Sequence, residues 1–426
     1  MITFSIDTFP LSNNILESND YSSKVIYSAV CDTLFKYSLS KKEIVKNACD
    51  YYEYTNNRKN LIIKIRDDLY FFNGNKVTAA DYCNTFKEIL SSNTHIGIIF
   101  KNFFSNVQLL DEMTFQLNNK TKNTESYKIL SIYSTACVKG KYTSGPYYIK
   151  ELKDNYILLE RNEFYRKKMC NESAKELKFI LTDGLKDYNL FIKNKVQITN
   201  NTLCDVNKID KYNYIREDNY IFLNLVFSFK LMNKEFKKMR NEIRSIINRD
   251  KILHLLKYKH NANYSFIVND NCSKYLSKKV DDKKIDKLNS KKSLTLGYNN
   301  FYPNKEIAIE IKRQLEEAGF KINLVENTFN VKNTSDLNIV LNHLEYISSD
   351  AMINGSYFSL LLQKSPVYKM IFKLYNKTHN DYLLHIINKK ILKLNFKIPI
   401  LKMNSYYLKK DIYRRFNYIE LNFEEL

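Results

Sequence analysis

The segment from Leu294 to Val325 restricts the fold more than any other part of the chain. Leu294-Thr-Leu-Gly-Tyr298 reads as a strand, and Asn304 to Ala318 follows with Ile307, Ile311 and Leu315 at helical spacing. Gly319 suits the left-handed position that ends a helix, and Phe320-Lys-Ile-Asn-Leu-Val325 alternates as a second strand. Strand, helix and strand in this order predict a βαβ unit, with two parallel strands and a right-handed crossover. Asp336 to Leu341 adds a further short strand.

The remainder mixes short elements. A helix is expected over Ser22 to Tyr37 and a strand over Leu61 to Arg66. Asn73-Gly74-Asn75 reads as a turn, after which Thr78 can cap a helix through Ala79, Tyr82, Phe86 and Leu90. Tyr147 to Glu151 and Tyr156 to Glu160 flank Lys153-Asp154-Asn155 as a hairpin. Tyr220 to Val226 is a strand, and Met239, Ile243, Ile246, Ile247, Leu253 and Leu256 line one side of a helix. Hairpins early and a βαβ unit late make an α/β protein with more than one sheet.

A chain of 426 residues holds two or three domains at about 100–200 residues each. With 33 Tyr and 26 Phe it has ample apolar surface to fold, and 8 Gly and 5 Pro exclude collagen-like or linker-dominated chains. The formal net charge of +21 fits either a patch for nucleic acid or anionic lipid, or a lysine-heavy solvated surface. Lysines are scattered among acidic residues, and the densest run, Lys278 to Lys287, is diluted by Asp281, Asp282 and Asp286. The solvated surface is therefore the reading taken, with no specific nucleic-acid partner.

The seven cysteines are odd in number and contain no Cys-x-x-Cys pair, which reads as reduced thiols. Met1 to Pro10 has neither a basic start nor a long apolar stretch, so it is not a signal peptide, and no stretch nears 18 unbroken apolar residues. Either the chain stays in the cytosol or an export segment has been removed. No Gly-x-Ser-x-Gly elbow, Gly-rich phosphate loop or His-Glu-x-x-His motif is present. The six histidines, His95, His254, His260, His343, His379 and His385, show no metal-ligand spacing. No enzyme activity, catalytic residue, metal or cofactor is expected.

Four segments carry a resemblance. The first is Ile63-Lys-Ile-Arg66, Phe71, Gly74 and Val77-Thr78-Ala79-Ala80-Asp81. The second is Thr143-Ser144-Gly145-Pro146-Tyr147, running into Leu158-Leu159-Glu160-Arg161-Asn162 and Tyr165. The third joins Phe222-Leu223-Asn224 to Met239-Arg240 and Ile246-Ile247-Asn248-Arg249-Asp250. The fourth is the βαβ unit with Glu345-Tyr346, after which Lys397-Ile398-Pro399-Ile400 returns late in the chain. In this order they resemble the family 5 extracellular solute-binding proteins, the oligopeptide-, dipeptide- and nickel-binding receptors of ABC importers.

That resemblance implies a two-lobed, type II periplasmic-binding-protein-like α/β fold. Lobe I would comprise 1–36, 140–222 and 387–426, an added subdomain 37–139, and lobe II 223–386. The chain would cross between lobes near Asn219–Leu225 and near 386–397. A peptide would lie extended in the cleft and pair its main chain like an added strand. Glu345 falls where the family holds the ligand's amino group, a charge-assisted bond of about 1.5–3 kcal/mol. Tyr346, Asn342 at the family's Trp position, and Asn224 complete the expected ligand contacts. Arg66 and Asp81 would be structural. The partners would be a peptide or other small solute and, if exported, an ABC permease, the receptor being a monomer. Its place would be the periplasm or an extracytoplasmic membrane anchor. A cytosolic ligand-sensing module on the same fold is the alternative function.

Overall fold

The computed structural model describes residues 1–120, 125–166, 174–182, 186–201, 214–256, 261–265, 293–299, 303–327, 334–343, 365–378 and 380–426. The chain opens with β1 (Ile2–Ile6) and α1 (Tyr21–Val30). A second group follows: β2 (Phe35–Ser38), β3 (Glu43–Lys46), β4 (Cys49–Thr55), β5 (Asn60–Ile65), α2 (Ala79–Ser91), α3 (His95–Phe103), β6 (Phe104–Leu109) and β7 (Thr114–Asn119). The chain then makes β8 (Tyr147–Leu152), β9 (Tyr156–Arg161), β10 (Glu176–Leu181) and α4 (Asp187–Ile192). The last group is β11 (Ile215–Phe227), α5 (Lys237–Ile246), α6 (Arg249–Leu255), β12 (Asn261–Ala262), β13 (Ser293–Asn299), α7 (Asn304–Glu317), β14 (Lys321–Asn327), β15 (Leu337–His343), α8 (Pro366–Thr378), α9 (Asp381–Leu394) and β16 (Lys397–Tyr407).

Three main sheets result, ordered β1-β10-β9-β8, β4-β5-β7-β6 and β12-β16-β11-β15-β13-β14. Each has its own apolar core. Phe4, Phe179 and Tyr407 sit in the first, Tyr82, Phe86 and Phe115 in the second, and Leu225, Leu296 and Ile311 in the third. The βαβ unit forms as its pattern predicts. β13 and β14 run parallel from Ser293↔Lys321 to Asn299↔Asn327, and Ile307, Ile311 and Leu315 of α7 are fully buried. Gly319 takes φ 99°, a conformation that costs glycine little.

The resembling motifs prove to be joints. Gly74, at φ 82°, lies under the ring of Phe164. Thr78 and Asp81 form a capping box on α2, and Lys139 pairs with Asp81 at 3.0 Å. Arg66 holds Asp68 through two bonds of 2.8 and 2.6 Å. Gly145 donates its N–H to the Val30 carbonyl at the end of α1, and its own carbonyl accepts from the buried Asn162 amide at 2.9 Å.

Three expectations are corrected. The helix begun at Tyr21 ends at Val30, because Asp32 turns inward to Arg166 and Phe35–Ser38 pairs with β3 instead. The helix expected from Met239 to Leu256 breaks at Ile247. There Asn248 takes an extended conformation and its side chain caps α6 by accepting from Lys251 N at 3.0 Å. The third difference is where the returning chain crosses. Ile387 and Ile391 of α9 pack with Phe222, and Ile398, Ile400, Leu401 and Met403 belong to the third core. Residues 387–403, expected in lobe I, therefore pack with the sheet that contains the βαβ unit.

Candidate functional site

Two strands, β11 and β16, pass through both the first and the third core. Ile215 and Tyr407 pack in the first core, whereas Leu223, Leu225, Ile398 and Ile400 pack in the third. Their antiparallel register breaks once between these halves: Glu217 faces Ser405, but the next pair is Ile221 with Met403. Four steps on β11 thus oppose two on β16, a bulge that bends the ribbon where the halves meet.

Buried polar groups collect around this break. Asn201 donates from Nδ2 to the Tyr21 hydroxyl at 2.7 Å and to Ser405 Oγ at 3.1 Å. Tyr21 starts α1, whose N-terminus is capped by Asp20. Its ring packs against both cores and meets the His343 ring edge-on at 5.7 Å. A side chain from α1 thus meets the last residue of β15 across the junction.

Of the four ligand contacts expected from sequence, two come together here. Asn224 lies between Leu223 and Leu225, both fully buried, so strand alternation turns it to the other face. It is itself 2% exposed, and its Nδ2 donates to Asn342 Oδ1 and to the Phe222 carbonyl, each at 3.1 Å. Lys397 Nζ donates to the same Asn342 oxygen at 2.9 Å. Desolvation by the surrounding protein pushes the Lys397 ammonium down to about 8. Glu345 and Tyr346 lie outside the described residues, as do Cys170, Cys204, Cys272, His260, His379 and the lysine run 278–287. Chemically, two amides and an ammonium offer donors and acceptors that suit a ligand main chain or a carboxylate.

Tyr21, Asn201 and Lys397 were not anticipated. Lys397 had a signal, as a cation opening a strand whose next four residues are Ile398-Pro399-Ile400-Leu401. Tyr21 and Asn201 had none, since only tertiary structure brings them to the junction. A second concavity of about 760 Å³ opens between the first and second cores, walled by Asn14, Tyr27, Glu88, Lys141 and the stacked pair Phe72–Tyr148 at 4.5 Å. Among the described residues, no group of three His, Cys, Asp or Glu could hold a metal, and no helix is long and apolar enough to cross a membrane.

Separate sheets linked by paired crossing strands, with polar groups at the link, define a two-lobed α/β binding protein. The family model for bacterial extracellular solute-binding proteins, family 5, matches residues 43–360, and the chain belongs to that family. Solved structures agree on the fold. The murein tripeptide binding protein MppA of Escherichia coli superposes with a TM-score of 0.84 at 12% identity, covering 99% of this chain and 96% of that one. AgaA from A. tumefaciens R10, in complex with agropinic acid, gives 0.82 at 16% identity, with 100% and 96% covered. The oligopeptide-binding protein AppA of Bacillus subtilis, holding a nonapeptide, gives 0.80 at 16%, with 100% and 98% covered. No curated protein matches the sequence. The family and fold are those of binding proteins, not of enzymes, and the protein is a solute-binding receptor.

Proposed function

We propose that the receptor takes peptides, traps them between its two halves by bending at the β11–β16 crossing, and delivers them to an ABC permease. The single observation carrying the closure is the register break between Glu217/Ser405 and Ile221/Met403. A second irregularity lies between Leu223/Leu401 and Asn224/Pro399, inside the third core; the break at Glu217/Ser405 is the one that falls between the two cores, so rotation concentrates there. Lobe I then comprises about 1–36, 140–217 and 404–426, the added subdomain 37–139, and lobe II about 218–403. Asn224 and Asn342 form the lobe II wall of the cleft, and the ligand contacts that the family resemblance assigns to Glu345 and Tyr346 belong to the same proposal. Asn342 in place of a Trp opens room for a polar main chain rather than an apolar anchor. The receptor acts as a monomer outside the cytoplasm, on the side where family members meet their solutes.

The test is thermal unfolding with defined peptide pools, joined to small-angle scattering. A bound peptide at 100 times its Kd should stabilise the fold by about 2.7 kcal/mol and reduce the radius of gyration. Asn342→Ala and Glu345→Ala should each weaken that shift. If no peptide pool moves the midpoint while an opine, sugar or nickel does, the receptor is real and the peptide assignment is wrong. Stabilisation without any compaction would remove the closure.

A further inference from the structure

Charge is less evenly spread than the chain-wide average suggests. From Ala351 to Lys410 there are eleven lysines, no arginine and one acidic residue, Asp381. Eleven minus one is a surplus of ten, nearly half of the chain's +21, in 60 residues of 426. This stretch contains the helical hairpin α8–α9. Their inner faces pack on Phe222 through Phe372, Tyr375, Leu384 and Ile387. The outer face of α8 is not polar throughout. Val367, Met370 and Leu374 are 59%, 65% and 46% exposed, and Tyr382 on the first turn of α9 is 63% exposed. The spacing i, i+3, i+7 sets the three apolar residues in one stripe. Lys369 and Lys373, both exposed, run four apart beside it.

We infer that the outer face of α8–α9 docks on an anionic phospholipid surface, laying Val367, Met370 and Leu374 into the headgroup boundary while neighbouring lysines meet lipid phosphates. Three observations choose lipid over a protein partner. An apolar stripe flanked by a lysine stripe is the pattern of a helix lying in a membrane interface. From Pro366 to Leu394 the hairpin carries six lysines against one acidic residue, whereas protein interfaces pair both signs patch by patch. All six cations of the hairpin are lysine, the residue depleted at protein interfaces where arginine is enriched, and a flexible ammonium suits a fluid array of phosphates. Lys390 braces the hairpin, its ammonium 5.0 Å from the Tyr368 ring, so the two helices present their cations as one body.

The experiment is co-sedimentation of the full chain with vesicles of phosphatidylcholine alone and of phosphatidylcholine mixed with phosphatidylglycerol, without ligand. Binding should occur only to the mixed vesicles and weaken as salt is added. Each of Lys369→Gln and Lys373→Gln should lower the partition coefficient roughly fivefold, about 1 kcal/mol per cation. Met370→Ser with Leu374→Ser should lower it at least as much. These positions are exposed, so the circular dichroism spectrum and unfolding midpoint of every variant should match the parent. Absence of sedimentation with the anionic vesicles overturns the inference. So does binding that the serine variant leaves unchanged, or α8-dependent retention on a polyglutamate matrix without vesicle binding, which would assign the face to an acidic protein.

Discussion

At the scale of single residues, close approaches explain much of what the motifs contain. Gly145 sits so near the end of α1 that a Cβ there would lie 2.6 Å from the Cys31 nitrogen and closer still to the Val30 carbonyl. Both neighbours are backbone, so neither can swing away. Gly145→Ala should therefore cost about 1–3 kcal/mol, read as a lower urea midpoint at unchanged slope. Asn162→Ala should cost about 1–3 kcal/mol by leaving the Gly145 carbonyl buried without its amide, whereas loss of a merely solvated asparagine would leave the midpoint in place. Asn224 and Asn342 were singled out by their offsets within the family motifs, and strand register puts them two rungs apart on neighbouring strands. Lys397 stood out as a cation at the start of an apolar strand, but its partner did not, because its ammonium reaches past β11 to Asn342, a distance that no spacing along the chain encodes.

Among elements, the joint between the first two sheets rests on a buried ion pair. Arg166 grips Asp32 with bonds of 2.8 and 2.9 Å, and its Nη2 also donates to Asn47 Oδ1 at 2.6 Å. Both charged side chains are almost fully covered, at 5% and 2% exposure. Asp32→Asn leaves the guanidinium without its countercharge and should cost about 3–5 kcal/mol. The double variant Asp32→Asn with Arg166→Met should recover part of that, and a simple sum of the two single effects would show the pair is not coupled. This joint also marks where helical periodicity ceased to predict structure. Val25, Ile26, Ala29 and Val30 continue a helical face, yet Asp32 is drawn out of it by an arginine 134 residues away. The α5–α6 break has a local cause that the pattern could have revealed, namely a capping asparagine at Asn248. The βαβ unit was legible in full because all its instructions lie within it: two alternating strands, one amphipathic helix and a terminal glycine.

For the molecule as a whole, stability should respond to pH in an unusual direction. Asp187 is fully buried where β1, β10 and α4 meet, accepting from Ser5 Oγ at 2.7 Å and Thr182 Oγ1 at 2.5 Å. Burial lifts its carboxyl to about 6, more than these hydrogen bonds lower it. Its folded value therefore lies above its unfolded value of about 3.9. The folded state holds the proton more tightly, so this group's contribution is complete below about 4 and is lost as pH rises through about 6. The loss is on the order of 3 kcal/mol. Asp187→Asn should flatten the slope of stability between these pH values, measured by urea unfolding at several pH points. A slope that persists unchanged would assign the effect to other carboxyls, Glu217 first among them, since burial raises it too.

The first sheet also has a consequence for how the chain is made. Phe4 stacks on Phe179 at 4.8 Å and meets Phe416 at 5.4 Å and Phe423 at 5.8 Å, while the Leu426 carbonyl accepts from the Ala174 N–H at 2.8 Å. The strand that carries Phe4 is thus completed by aromatic residues far along the chain. Until Phe416 and Phe423 have been made, that aromatic cluster stays half-built. Replacing Phe416 and Phe423 together by alanine should therefore prevent the first sheet from closing around Phe4, and the variant should accumulate as an aggregate or a protease substrate instead of a folded receptor.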